Sequence, residues 1–250
     1  MSARLLAIGI LLLFPAGTFA AFDLPPLPPP DEYGNVLIDR LSGQNKMRPV
    51  NFSHWSHRKR FTCRVCHTEI EFAMKRNASG ITENASRNGK FCGACHDGQT
   101  AFRHAGNCDK CHSGTAPYGK EKFDAFFSVP VNTTQFGNGI DWVAMLDGKH
   151  IKPVNYLRKP PQAMKFDKPL SLEAEWSIIP PAYFPHKEHT LWLECSSCHP
   201  EPFNIKKKTT KHFSMAAMLQ GEFCGVCHLK VAFPLDDCRR CHPDMKEGGF

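Results

Sequence analysis

No cysteine in this 250-residue sequence stands alone. All twelve fall in one run, Cys-x-x-Cys-His, so none is left over for a disulfide framework. Long apolar runs are missing after the first twenty residues, so nothing beyond them is long enough to span a bilayer. No cysteine lies near residue 20, which excludes a lipoprotein anchor there. Acidic residues are in deficit, 24 Asp and Glu against 31 Lys and Arg, for a formal charge of +7. Such a deficit often marks a nucleic-acid partner, a reading the charge arithmetic below removes.

The first twenty residues read as a separate object. Arg4 supplies a short positive region, Leu5 to Phe14 an apolar run, and Thr18-Phe19-Ala20 small residues at the −3 and −1 positions. This pattern predicts a signal peptide over 1–20, cleaved after Ala20, and a soluble protein exported to the periplasm, with membrane docking but no span.

The six runs are Cys63-Arg64-Val65-Cys66-His67, Cys92–Cys95–His96, Cys108–Cys111–His112, Cys195–Cys198–His199, Cys224–Cys227–His228 and Cys238–Cys241–His242. Cysteine pairs bind structural zinc or act as redox dithiols, but neither use explains a histidine directly behind all six pairs. Covalent haem attachment does. Two thiols three residues apart reach both vinyl groups of one haem, and the adjacent histidine lies under the iron. Six haems c are therefore expected.

Haem changes two balances. Cleavage of the leader removes Arg4 and leaves +6. Each ferric haem with its two propionates contributes about −1, so the oxidised protein is about neutral and the reduced one roughly −6. Arg64, Lys110, Arg239 and Arg240, beside the motifs, are expected to pair with propionates. The run Lys206-Lys207-Lys208 reads as solvated surface, and no nucleic-acid partner is expected. The second balance is structural. Under forty mature residues serve each haem, so the haems are expected to form the core and the haem-free chain to fold poorly.

The chain repeats itself. Phe52-Ser53-His54-Trp55-Ser56-His57 precedes Cys63 as Phe184-Pro185-His186-Lys187-Glu188-His189 precedes Cys195. Gly89-Lys90-Phe91-Cys92-Gly93 matches Gly221-Glu222-Phe223-Cys224-Gly225, and every one of these pairs is offset by 132. The third motif follows the second by 16 residues in one half and 14 in the other. The preceding flanks also echo, Tyr33 to Asn51 against Phe136 to Asn155, with roughly 29 residues inserted near 155–182. Asn138 is expected to cap a short helix from Gly139 to Leu146, ended by Gly148, with a packing role. The units are set at 49–113 and 181–250, with a Pro-rich extension at 21–48 and a connector at 114–180.

Thirteen histidines less six proximal ones leave His54, His57, His104, His150, His186, His189 and His212 for six distal positions. His54 and His57 stand three apart on one helix face, as do His186 and His189, so each pair can serve two neighbouring haems.

These motifs together resemble the triheme units of cytochrome c7-type, class III multihaem cytochromes over about 49–113 and 181–245. The resemblance implies a mostly irregular, small-α fold: two triheme units of short helices around covalent haems, with little sheet beyond a short hairpin. It also implies that His54 faces the haem of His67, His57 that of His96, His186 that of His199 and His189 that of His228. The family takes its remaining ligand from just before the second motif, and there this sequence departs. The second half offers His212, Met215 and Met218, with Met215 the candidate for the haem of His242 and Met218 read as packing. The first half has Gly80, Glu83 and Ser86 at the aligned positions, so the haem of His112 needs His104 or His150, or stays open.

An electron carrier follows from closely packed six-coordinate haems, which pass electrons and have no room for substrate. Its partners would be other cytochromes, a membrane quinol-oxidising complex or a terminal reductase, as in anaerobic respiration. A reductase would need an open iron with acid–base residues around it. No Cys-x-x-Cys-Lys variant and no concentrated acid–base group is found. A structural subunit of a haem assembly is the third reading, with Pro25 to Pro30 as a docking arm or a spacer.

Overall fold

The computed structural model describes residues 24–127, 133–162, 166–174, 178–203 and 214–246. The leader, His212 and the lysine run at 206–208 lie outside the described residues. Among those described, regular structure is short, as few residues per haem demand. Strands β1 (Asn35–Ile38) and β2 (Val50–Ser53) form one antiparallel pair, and β3 (Leu170–Leu172) and β4 (Ala182–Phe184) another. Among the described residues, no helix is long and apolar enough to cross a membrane.

Each pair of strands delivers the chain into a one-turn helix that carries the paired histidines. These are α1 (His54–Arg58) after β2 and α5 (His186–Thr190) after β4. Next come α2 (Glu83–Arg87), capped by the Thr82 hydroxyl, and at the same offset α6 (Met215–Leu219), capped by Ser214. An N-cap hydroxyl satisfies an N–H that the helix itself leaves open. The connector contributes α3 (Lys120–Phe127) and α4 (Trp142–Asp147). Helices α7 (Gly225–His228) and α8 (Cys238–Cys241) lie within the last two motifs.

The flanking echo is not used alike in the two halves. Val50 opens β2, whereas its counterpart Val154 bridges Phe61 in parallel, and the partner of β4 comes from within the insertion. The connector helix also starts later than expected. Asp141 caps α4, its Oδ1 accepting from the N–H groups of Val143 and Ala144. Gly139, at φ +73°, turns the chain out of the helical path before that point. Asn138 instead ties the connector to the N-terminal extension, donating to the Pro30 and Tyr33 carbonyls at 2.9 and 2.6 Å. Trp55 Nε1 donates to the Asp31 carbonyl, so the end of the Pro-rich stretch is bonded into the body of the protein.

The packing role of the connector is clear from what it buries. Phe123, Ile140, Trp142, Met145 and Ile151 close over Trp55 of the first unit and Trp192 of the second. A side-chain core therefore exists at the junction of the units, in addition to whatever the haems bury. Tyr33, 1% exposed, reaches across the junction to the Ala232 carbonyl at 2.6 Å.

Arg64 corrects one expectation. Instead of standing ready for a propionate, it is 4% exposed and pairs with Glu69 and, at 3.2 Å, with Glu194 of the other unit. Its backbone N–H donates to the Trp192 carbonyl, and its guanidinium also bonds the Asn155 carbonyl. Arg240 is likewise held by Asp237 and Asp141. A buried guanidinium needs fixed acceptors, and the neighbouring motif supplies them. Burial alone would raise the Glu69 pKa. Arg64 and the N–H groups of Leu157 and Arg158 more than offset this and hold the carboxyl below its usual range. That stabilisation is complete above the ordinary carboxylate value of about 4.3 and is lost as pH falls through the lowered folded value. Glu69→Gln is therefore expected to cost about 3 kcal/mol at pH 7 and to flatten the acid limb of stability against pH. Guanidinium unfolding from pH 7 to 3 checks this, and equal stability of the two chains at pH 7 would refute it.

Candidate haem sites

In five of the six motifs the histidine N–H donates to the carbonyl of the first cysteine, at 2.8–2.9 Å, closing one helical turn. The first motif runs into a π-type turn, Val65–Glu69. One turn is what brings two thiols three residues apart to the same side. All twelve cysteines are free. Burial pushes the thiols of Cys66, Cys224 and Cys227 up to about 12 and those of Cys92 and Cys241 to about 11. Surroundings that oppose the thiolate oppose ligation of a bare cation and suit a neutral thioether. Among the described residues, no three or more His, Cys, Asp or Glu side chains converge on a bare metal site.

The histidines share one further feature. Every motif histidine has its Nδ1 on a backbone carbonyl: His67 on Phe72, His96 on Phe102, His112 on Arg48, His199 on Phe203, His228 on Phe233 and His242 on Pro180, at 2.6–3.0 Å. Such a bond puts the proton on Nδ1 and leaves the Nε2 lone pair for a metal. The same holds for His54 on Gly34, His57 on Ser53, His189 on Pro185 and His104 on His96. Cysteine and histidine chemistry together fit covalent haem at each motif. There, two thioethers would hold the ring and the free Nε2 would ligate iron, whose redox change is the chemistry haem supplies.

The distal candidates fall into repeated geometry. His57 and His96 have ring centres 6.3 Å apart, and His189 and His228 6.1 Å, at tilts of 59° and 56°. Phe52 stacks on His57 at 4.4 Å as Phe184 does on His189 at 4.2 Å. His54 is near enough to His67, and His186 to His199, for a charge on the motif ring to lower the pKa of its partner, beneath the larger effect of burial. Burial brings His54 down to about 3 and His228 to about 4, so both are neutral, as ligands must be.

The third site of each unit is less complete. His104 Nε2 is buried without a partner, in a side chain whose Nδ1 is already bound. His150 is exposed, its ring lying against Gly148. Met215 opens α6, where the first unit has Glu83, which is ion-paired to Arg87 on the surface. The residues that sequence reasoning missed are those whose carbonyls accept from the histidines. Two of these, Phe102 and Phe233, belong to the pairs Ala101-Phe102 and Ala232-Phe233 that follow the second motif of each unit, which was the available signal. Arg48 and Pro180, also offset by 132, left none.

Six such turns, each with two free thiols and a histidine prepared for iron, define a multihaem c-type cytochrome, mostly irregular with short helices and little sheet. Comparison with protein families agrees. The model for cytochrome c7 and related cytochromes c matches residues 50–113 and 182–243, just over half of the sequence. The chain belongs to that family, and its twelve cysteines fit six covalently bound haems c. No curated protein matches the chain. Among solved structures, it is similar to the C-terminal hexahaem fragment of GSU1996. The two are 29% identical, with 84% of this chain and 96% of that chain covered and a TM-score of 0.29. The N-terminal hexahaem fragment is 26% identical, covering 85% and 99%, with a TM-score of 0.27. The dodecahaem cytochrome c GSU1996 itself is 26% identical, covering 78% and 70%, also at 0.27.

Proposed function

We propose that the chain is a six-haem electron conduit, exported by its leader and carrying electrons between respiratory partners outside the cytoplasm. The observation that supports it most is the spacing of His57 from His96 and of His189 from His228. Two imidazoles on opposite faces of one iron, with metal–nitrogen bonds of about 2 Å, have ring centres about 6 Å apart. An iron so enclosed binds no substrate. On this reading His54 and His186 complete the sites of His67 and His199, Met215 that of His242, and His104 that of His112. A methionine ligand gives the His242 site a higher potential than its bis-histidine neighbours. The partners are other cytochromes, a quinol-oxidising membrane complex, or a terminal reductase that receives the electrons.

The reductase reading has one foothold, the iron of His112, for which the candidate ligand is His104, whose Nε2 is buried without a partner. Low-temperature EPR and near-infrared MCD of the oxidised protein separate the two. Six low-spin haems are expected. His57→Ala and His189→Ala are each expected to convert one haem to the high-spin form, and His104→Ala a third. A high-spin signal in the parent protein that His104→Ala leaves unchanged would favour the reductase. A pyridine haemochrome assay well below six haems per chain would sink both.

A further inference from the structure

Arg58 is the last residue of α1, next to His57 and four residues from His54. Its guanidinium leaves the first unit and donates to the Val231 carbonyl of the second, three residues past His228. The Val231 N–H is in turn bonded to the Cys227 carbonyl. The guanidinium also lies over the Trp142 ring, 5.1 Å from its centre, in the core at the junction. Both described partners are neutral, and the side chain is half-buried. Beneath the larger effect of burial, its charge is felt at His54 and Cys63 on one side and at Cys227 and His228 on the other. The Cys63 thiol in turn adds to the upward push on Cys227. The 132-residue counterpart of Arg58 is Thr190, so this cation belongs to the junction and not to the repeat.

The geometry points to Arg58 as a fixed positive charge shared by two haem sites, one in each unit. The sites are the one built on Cys63, Cys66 and His67 and the one built on Cys224, Cys227 and His228. Reduction of a haem adds one negative charge. A cation held in a low-dielectric junction stabilises that charge and therefore raises both potentials relative to their counterparts in the other unit. Arginine suits the task because its guanidinium stays protonated and stacks on an indole while donating to a carbonyl. Arg58 is thus a positioning residue for charge and not a ligand.

This inference rests on the six-haem reading, and haem content separates failure of one from failure of the other. Arg58→Gln protein is matured with its haems, the haems are counted by pyridine haemochrome, and the couples are resolved by redox titration followed on haem-methyl NMR signals. The two couples of the His67 and His228 sites are expected to fall. At fixed potential their oxidised-to-reduced ratio rises about tenfold, which is 59 mV for a one-electron couple, and the other four stay in place. Arg58→Lys is expected to restore them. In a chain with six haems, no movement, or equal movement of all six couples, overturns the inference. A parent chain short of six haems sinks the six-haem reading instead. If Arg58→Gln does not mature, Arg58→Met takes its place. It fills the space over the Trp142 ring without the charge, so a fall of the same two couples supports the inference and unmoved couples overturn it.

Discussion

A chain produced without haem attachment is expected to be unfolded, with no cooperative transition on heating and rapid cleavage by added protease. The buried apolar residues among those described are Tyr33, Trp55, Val65, Phe123, Ile140, Trp142, Met145, Ile151 and Trp192. Apart from Val65 and Tyr33 they form one cluster at the junction. Within each unit the strands are three or four residues long and most helices one turn. Such elements have too little propensity to form alone, since a helix shorter than about twelve residues is marginal in water. Ordering each residue costs about 1–2 kcal/mol of backbone entropy, which burial against the haems has to offset. Holding binding energy and folding energy in one term makes the chain two-state in its cofactor, as in small metal domains. Far-UV circular dichroism of the chain made without the attachment machinery, or with all twelve cysteines replaced by alanine, tests this. A sigmoidal melt in either would refute it.

Gly93→Ala and Gly225→Ala are each expected to cost the protein one haem and to destabilise it by at least about 3 kcal/mol. These glycines stand inside the second motif of each unit, and the end of the preceding helix presses directly on them. A Cβ on Gly93 would lie 1.8 Å from the Ser86 carbonyl oxygen, and one on Gly225 1.9 Å from that of Met218. Both obstacles are backbone, so no side chain can swing away. Either α2 or α6 must move off, or the motif must, and with it His96 or His228 and its facing histidine. Gly80→Ala is the control, because a Cβ there meets nothing within 4 Å. Haem content and guanidinium unfolding read the effect. Both variants retaining six haems with unchanged midpoints would show that the repeat accommodates a methyl group there.

The haem sites were legible in outline because their signals are local. Cysteines three residues apart with histidine behind them, and histidines three apart on one turn, depend only on helical period. The same is true of the unit repeat, which reappears in ring geometry: Phe52 and Phe184 on their histidines, and His96 and His228 against Phe102 and Phe233 at 4.4 Å. Charge pairing was less legible. Arg64 and Arg240 stand beside motifs and read as propionate partners, yet each is held by one nearby carboxylate, Glu69 or Asp237, and one from a distant segment, Glu194 or Asp141. The connector was read correctly as packing, but its cap was placed three residues early, at Asn138 instead of Asp141. Both are polar N-cap types, and a single Gly139 decides between them.

By itself the sequence determined that the cysteines form six haem-attachment turns, each with a histidine directly behind it, and that these fall in two units. The turns need only residues within about one turn of each other, where covalent geometry leaves little choice, and the two units are the recurrence of such turns at one offset, 132. The tertiary structure decided what lies far apart in the chain. Gly34, Arg48 and Pro180 lend their carbonyls to histidines up to 64 residues away. The partner of β4 comes from within an insertion, and Arg58 of the first unit and Tyr33 of the extension before it bond to a loop more than 170 residues on. Loop closure sets no preference strong enough to be read from composition. Such pairings follow from how the whole chain buries its polar groups with partners, and only the folded structure contains that information.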